Sequence, residues 1–544
     1  MTKPATAPPV AAAPAVRGHR LWPAGTLAAV LGLAGLWWWS GPAPMSAPWD
    51  VFILLDGGYR ITEGQVPGTD FGNPIGPLVY GLVSVGMRMQ AVPSLTAVVY
   101  AGLLFLAIAA PLAWFVARRR LPAAAAAGFT VFTALLVLAA RPLGYSPWIT
   151  TYAMLYNRYG WVLYSTLLLL VLIRSRGPLT ARRAVTDGLV LGLLLGLMFF
   201  GKANFFAAGV VAVVAGLVLG TLRRSVRLGV AALAAFLGVV AVMRLAFGIR
   251  LTGYLADLVH AGASQGGQRL GMLVTSAAYT APVLLLAAAV VGVLAVRARR
   301  RQLPARPLAE VAVAAGFVWV SSVLVASANT AEHGDLPALV VIPLLLVPVL
   351  PTAAPRALGA AGLAVLVAAA AGPIAGKDAL SLARAVGGHE SVASPPVSQR
   401  IDSPGLRDFV VPADARWQTA YRTAGAVPAM IDDGIAVLRR HAGPADTVST
   451  LALANPFSFA LSLPPATGGP LWWDVGISFD TSTHPTPEEA FGTTKWVMIP
   501  RIVDGQGCCT ETVTALRQIY GPYLAQHFTE VETTADWVLL GRTR

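Results

Sequence analysis

Apolar runs long enough to cross a bilayer recur along the first two thirds of the chain, at roughly 21–40, 75–91, 94–117, 122–140, 157–173, 184–201, 203–221, 228–247, 271–296, 308–327, 336–351 and 356–375. Beyond about residue 376 the pattern changes. Ile431 to His441 reads as an amphipathic helix, and Thr447–Leu453 and Lys495–Ile499 read as strands, the second stopped by Pro500. Glu511 to Tyr520 reads as a helix ending at Gly521-Pro522, and Phe528–Val531 and Trp537–Leu540 as closing strands. This alternation predicts a small α/β domain. The pattern therefore predicts an α-helical polytopic membrane protein with 11–13 transmembrane helices and a C-terminal extracytoplasmic α/β domain. Residues 1–20 form a disordered cytoplasmic tail, 21–375 the transmembrane domain with a first external loop at 41–75, and 376–544 the soluble part. No internal repeat is found, which disfavours an inverted-repeat transporter.

Composition agrees. The 544 residues are 56% hydrophobic and only 12% charged, where a soluble domain carries about 25% charged residues. The net charge of +14 does not point to nucleic acid, because its arginines gather at the ends of apolar runs. They form Arg118-Arg119-Arg120, Arg174 to Arg183, Arg223 to Arg227 and Arg297 to Arg301, the signature of cytoplasmic loops. One run complicates the orientation. If 75–91 crosses fully, Arg118 to Arg120 fall outside; if it is partial, or if 141–157 hides a further crossing, the later basic runs and the C-terminal domain take consistent sides. The adjacent Cys508 and Cys509 support neither a disulfide framework nor a zinc site. The basic segment before Leu21 and the run Leu21–Trp39 read as an uncleaved signal anchor. The expected location is a bacterial inner membrane.

Only nine carboxylates occupy the first 375 residues, and four of them, Asp50, Asp56, Glu63 and Asp70, fall in one short stretch after the first apolar run. An acid at a membrane boundary is costly to desolvate, so the cluster is either a wet loop or a catalytic one. With 50–63 helical, Asp56 and Arg60 are placed to form an i,i+4 ion pair, while Asp50 lacks a local partner and sits beside Trp49. A carboxylate so placed can deprotonate an attacking hydroxyl. Asp56 is the second candidate base, and Tyr59 offers a ring face to substrate. Lys202 is the one lysine between Lys3 and Lys377. It either snorkels to the interface or supplies a point charge for phosphate. Tyr156 and Arg158 lie in an aromatic polar cluster, where Arg158 can contact phosphate bidentately and Tyr156 can face a sugar ring. The loops Asp257 to Arg269 (with His260, Gln265 and Gln268) and Asn329 to Asp335 (with Glu332 and His333) read as solvated, with Glu332 and His333 as candidate substrate contacts. Trp472-Trp473-Asp474 reads as turn and core, or as one wall of an acceptor groove. No motif demands a cofactor; a divalent metal at Asp50 and Asp56 stays open.

An aspartate just after the first span, an amphipathic helix, then Gly64-x-x-Pro67-x-x-Asp70-Phe71 and Pro74-x-x-Pro77-Leu78, resembles the first external loop of GT-C fold glycosyltransferases. The branch is that of protein mannosyltransferases and the aminoarabinose transferase of lipid A. That loop usually reads Asp-Glu and later Lys- or His-Pro-Pro-Leu; here Asp50-Val51 and Asn73-Pro74-Ile75-Gly76-Pro77-Leu78 stand instead. The resemblance implies a membrane glycosyltransferase that moves a sugar from a polyprenyl-phosphate donor to an envelope lipid, glycan or protein acceptor on the extracytoplasmic side. It places Asp50 as the base, Asp70 as the loop's second acid and Lys202 near the donor phosphate. A transporter or flippase, or a non-catalytic component of polysaccharide assembly, is the alternative.

Overall fold

The computed structural model describes residues 21–45, 49–73, 75–178, 180–264, 269–300, 306–329, 334–349, 356–387, 400–411, 427–501 and 510–543. Glu332, His333, Gln265, Gln268, Cys508, Cys509 and the 1–20 tail lie outside the described residues, and so does the side chain of His260.

Every apolar run expected from the sequence falls on a helix. In chain order these are α1 (Leu21–Ser40), α2 (Trp49–Thr62), α3 (Leu78–Arg88), α4 (Thr96–Arg120), α5 (Ala123–Leu138), α6 (Leu155–Leu172), α7 (Ala181–Gly201), α8 (Ala203–Val218) and α9 (Val226–Phe247). Then come α10 (Leu251–Ser264), α11 (Arg269–Arg300), α12 (Arg306–Ala326), α13 (Val341–Leu346, after a 3-10 turn), α14 (Arg356–Ala370) and α15 (Gly372–Gly387). Among the described residues, six helices (α1, α4, α7, α9, α11 and α12) are long and apolar enough to cross a membrane. The pair α14 and α15, bent by 53°, makes a seventh if taken as one span. The other apolar helices are shorter. At 11 residues, α3 rises about 16 Å, roughly half a hydrocarbon core, so it is a partial element. The stretch expected as an external loop at 248–270 is helical over Leu251–Ser264, as α10.

Several acids of the membrane part are ion-paired. Asp187 bridges Arg119 and Arg120, each at 2.9 Å. Arg141 reaches Asp335 at 2.7 Å and Asp378 at 2.9 Å, Arg158 reaches Asp378 at 2.7 Å, and Lys377 reaches Asp335 at 2.9 Å. Asp378 thus belongs with the membrane helices, and α15 carries their packing past residue 376 to Gly387.

The C-terminal part contains α16 (Val427–His441), β2 (Val448–Thr450), α17 (Phe457–Leu461), β3 (Gly468–Pro470), α18 (Pro487–Phe491), β4 (Trp496–Pro500), α19 (Thr510–His527), β5 (Phe528–Thr533) and β6 (Trp537–Arg542). Four strands form one sheet in the order β2-β4-β6-β5, with β2 parallel to β4 and the other pairs antiparallel. The helix expected to stop at Gly521-Pro522 runs through Pro522 to His527. Burial of Leu524 and the packing of Tyr523 against the same core oppose the break.

One short pairing joins the two parts. β1 (Phe71–Gly72) in the loop after α2 runs parallel to β3. The amide of Gly468 donates to the carbonyl of Asp70 (2.7 Å), and that of Leu471 to Gly72 (2.8 Å). Phe52 stacks on Phe409 at 5.4 Å and Tyr59 meets Phe459 edge-on at 5.8 Å. A single apolar core therefore continues from the membrane helices into α16, α17 and Trp537.

Candidate active site

Two consecutive glycines weaken α2 as an isolated helix, and close packing explains them. A Cβ on Gly57 would lie 2.4 Å from Tyr80 Cδ1 and 2.9 Å from Leu471 Cδ2, and one on Gly58 would lie 2.6 Å from Val83 Cγ1. α2 is thereby pressed between α3 and the strand that leaves β3, and nearly all of it is buried. Asp50 occupies its first turn, where the helix dipole favours an anion.

Asp50 accepts hydrogen bonds from its own backbone amide and from that of Met154. Met154 has left-handed backbone angles (φ 54°, ψ 28°) as the residue capping the start of α6. A non-glycine residue in that region carries strain, and here the strained turn delivers the amide to the carboxylate. Fully buried Tyr80 lies close enough to feel the Asp50 charge. So does Asp474. The chain passes from β3 through Leu471, Trp472 and Trp473 to Asp474, so the β1–β3 pairing places a C-terminal carboxylate opposite one from the first loop. Burial, and then repulsion from Asp474, push Asp50 up to about 6, against the pull of the two amides. Burial alone pushes Asp474 up to about 6 as well.

One helical turn along α6 stands the cationic group. Lys202 sits in an extended break (φ −163°, ψ 125°) between α7 and α8. Its ammonium donates to Asn157 Oδ1 (2.8 Å) and Asn329 Oδ1 (2.5 Å) and lies 5.1 Å from the centre of the Tyr156 ring. Asn204 Nδ2 also donates to Asn329 Oδ1, at 3.2 Å. Residues 154 and 157 are three apart, about 4.5 Å along a helix axis, so the Asp50 and Lys202 partners share one end of α6. The first loop reaches the same place from the other side. A Cβ on Gly76 would sit 2.0 Å from the carbonyl oxygen of Phe200, two residues before Lys202. Two buried donors have no hydrogen-bond partner among the described residues: Asn157 Nδ2 at this end of α6, and Trp472 Nε1 two residues before Asp474.

The remaining sequence candidates take other positions. Asp56 is buried and bound to Arg60 Nε at 2.9 Å, the i,i+4 pair the spacing allows. Arg60 also donates to the carbonyl of Ala466 (2.5 Å), so this pair fastens α2 to the C-terminal part. Asp70 caps its own turn, accepting from the Val66 amide at 2.7 Å. Tyr59 is buried in the joint against Phe459. Arg158 spends its guanidinium on Leu136 O (2.8 Å), Arg141 O (2.8 Å) and Asp378 (2.7 Å), which corrects its assignment to phosphate. Tyr156 does lie at the Lys202 cluster, while Glu332 and His333 are outside the described residues.

Sequence reasoning passed over Asp474 as a site residue, the Met154 amide, and the asparagines at 157, 204 and 329. Nothing in the local pattern distinguishes the amide or Asp474. The asparagines carried a signal: Asn157 and Asn329 lie in the two polar clusters singled out, and Asn204 follows Lys202. For a metal, the fit is poor. Asp50 and Asp56 are six residues apart on one helix, about 9 Å in rise, and cannot share an ion. Among the described residues no group of three or more His, Cys, Asp or Glu gathers elsewhere.

No family model matches the sequence, and no curated protein matches it. Among solved structures, the chain is similar to ArnT from Cupriavidus metallidurans bound to undecaprenyl phosphate, at 15% identity and a TM-score of 0.46, over 97% of this chain and 99% of that one. The apo form of the same protein gives 15% identity and a TM-score of 0.43, over 96% and 98%. The Archaeoglobus fulgidus oligosaccharyltransferase in complex with zinc and sulfate gives 13% and 0.34, over 87% and 68%.

Proposed function

We propose that this protein is a membrane glycosyltransferase of the GT-C kind. It moves a sugar from a polyprenyl-phosphate donor to an envelope lipid, glycan or protein acceptor on the side of the membrane where the C-terminal part lies. The observation that carries the reading is the pairing at the start of α6: a carboxyl held near pH 6 on the Met154 amide, and a lysine among asparagines one turn further on. The donor class comes from the resemblance of the first external loop, and Asp50 is where that loop places its base.

The acceptor hydroxyl enters beside Asp50, whose carboxylate takes the proton as the oxygen attacks the anomeric carbon. The bond from that carbon to the phosphate oxygen breaks, and polyprenyl phosphate leaves with the bonding electrons. Lys202 meets the growing negative charge on the leaving phosphate, while Asn157 and Asn329 fix the position of its ammonium. A base with a pKa near 6 is largely ionised at neutral pH yet basic enough to accept the proton. The sugar's configuration inverts, because attack and departure occur on opposite faces. The C-terminal part caps the cavity and presents the acceptor, with the unpartnered Trp472 Nε1 on that wall.

The test uses the purified full chain and a panel of polyprenyl-phosphate sugars, with released polyprenyl phosphate as the readout, together with mass spectrometry of envelope glycans and lipids from a deletion strain. Asp50→Asn is expected to lower release by about 10²-fold or more without lowering abundance or melting temperature. Unchanged release in a folded Asp50→Asn variant overturns the proposal.

A further inference from the structure

At the far end of the membrane helices, away from Asp50 and the C-terminal part, an open cleft lies between the ends of α4, α6 and α8 and the start of α9. Arg120 and Asp187 form its inner wall, and Arg174, Thr221, Arg223 and Leu228 line the rest. The acids available here are already taken. Asp187 holds Arg119 on one oxygen and Arg120 on the other, both at 2.9 Å. Glu310 holds Arg174 at 3.0 Å and Arg306 at 3.1 Å. Two carboxylates thus face four arginines before Arg223 is counted. Arg223 is exposed and has no ion-pair or hydrogen-bond partner among the described residues. The cleft therefore carries a net positive charge that nothing described on the protein offsets.

Its outer border is apolar. α9 begins at the cleft and turns Val226 (83% exposed) and Val230 (62%) outward, followed by Leu233 and Leu237. On the neighbouring α8, Val211, Val214 and Val218 are exposed in the same way. Because α9 is apolar enough to cross a membrane, this border would face hydrocarbon, and a small soluble anion would use only the arginines. A ligand with an anionic head and hydrocarbon chains uses both. A zwitterionic head would bring an ammonium into the positive cleft.

We infer that this cleft is a binding site for the head group of an anionic phospholipid, with the acyl chains laid along the outer faces of α8 and α9. Arg223 and the exposed side of Arg174 contact the phosphate at the mouth. Arg120, tied to Asp187, shapes the wall without contributing free charge. The site is separate from the Asp50 pocket and does not depend on the reading of that pocket.

Native mass spectrometry of the full chain in detergent tests this, with phosphatidylglycerol and phosphatidylcholine of matched chains as probes and inorganic phosphate as competitor. Phosphatidylglycerol is expected to bind in preference. That preference should fall about 5-fold in Arg223→Gln and about 25-fold in Arg174→Gln/Arg223→Gln, at about a factor of five for each arginine near the surface. Arg223→Gln alone touches no described partner, so it keeps the fold and keeps the test decisive; unchanged melting confirms this. Equal binding of the two lipids, undiminished preference in the double variant, or displacement of the lipid by millimolar phosphate would each overturn the assignment.

Discussion

Asp474→Asn separates the charge of the C-terminal carboxyl from its shape, and the consequence for Asp50 has a definite sign. Asp50 stands at about 6 against an ordinary 3.8, with burial as the larger cause and Asp474 the next. That rise is about 2 units, or about 3 kcal/mol. The variant leaves the burial in place and removes one facing charge, so the Asp50 pKa should fall, by less than that full rise because burial is the larger cause. A base works only when ionised. Asp474 itself ionises only near pH 6, so its charge bears on Asp50 in that region, and at pH 7.5 the ionised fraction of Asp50 stays close to complete in both proteins. The assay is donor turnover across pH 4.5–8, read as the ratio of the rate at pH 6 to the rate at pH 7.5. That ratio should rise, by at most about twofold, even if the variant is slower throughout because its amide handles the acceptor less well. The two carboxyls titrate together, so the limb reports apparent values of the pair. An unmoved acid limb, or one displaced to higher pH, refutes the claim that these two groups face each other.

Four further outcomes follow from the same geometry. Because Asp50 and Asp474 both sit above their unfolded value, their contribution to stability is complete below about pH 4 and is lost as pH rises through about 6. Asp474→Asn should therefore raise the melting temperature in detergent at pH 7.5, by on the order of 1–2 kcal/mol in stability, and leave it unchanged at pH 4. Lys202→Met should weaken donor use by about 10-fold or more, seen in kcat/KM, and Lys202→Arg should restore little, since the asparagine cradle fits a compact ammonium. Arg60→Met leaves Asp56 buried without its cation and should cost about 3–5 kcal/mol by thermal unfolding, far more than loss of an exposed pair. Gly57→Ala, which drives a methyl into Tyr80 and Leu471, should cost about 1–3 kcal/mol and speed protease cleavage between the two parts.

Much of the membrane part could be read from the chain because lipid imposes a one-dimensional rule: an apolar run of sufficient length becomes a helix whatever its neighbours do. Each run from 21–40 to 356–375 accordingly coincides with a helix. Ends were harder, since they depend on contacts. Pro522 fails to stop α19 because Leu524 has a core to enter, and α15 passes residue 376 because Asp378 has Arg141 and Arg158 to meet. The same limit governed the site. Asp50 and Lys202 stood out as rare charges in an apolar chain. Asp474 did not, because acids are ordinary in its domain and its position depends on the pairing of Gly468 with Asp70, nearly 400 residues earlier in the chain. Arg158 had the right chemistry for phosphate, but its partner, Asp378, lies 220 residues away.

This division bears on how the reaction could be controlled. Asp50 owes its elevated pKa to being enclosed, and one wall of the enclosure is Trp472 to Asp474, held by two strand hydrogen bonds and by Arg60 on Ala466. Lifting that wall would hydrate Asp50 and remove the facing charge, and both changes lower its pKa. The base would remain ionised but would become a weaker proton acceptor, just as the cavity opened to water. Closing the wall would restore the stronger base. On the function proposed above, a water molecule entering an opened site would meet the least basic form of Asp50, which would disfavour hydrolysis of the donor.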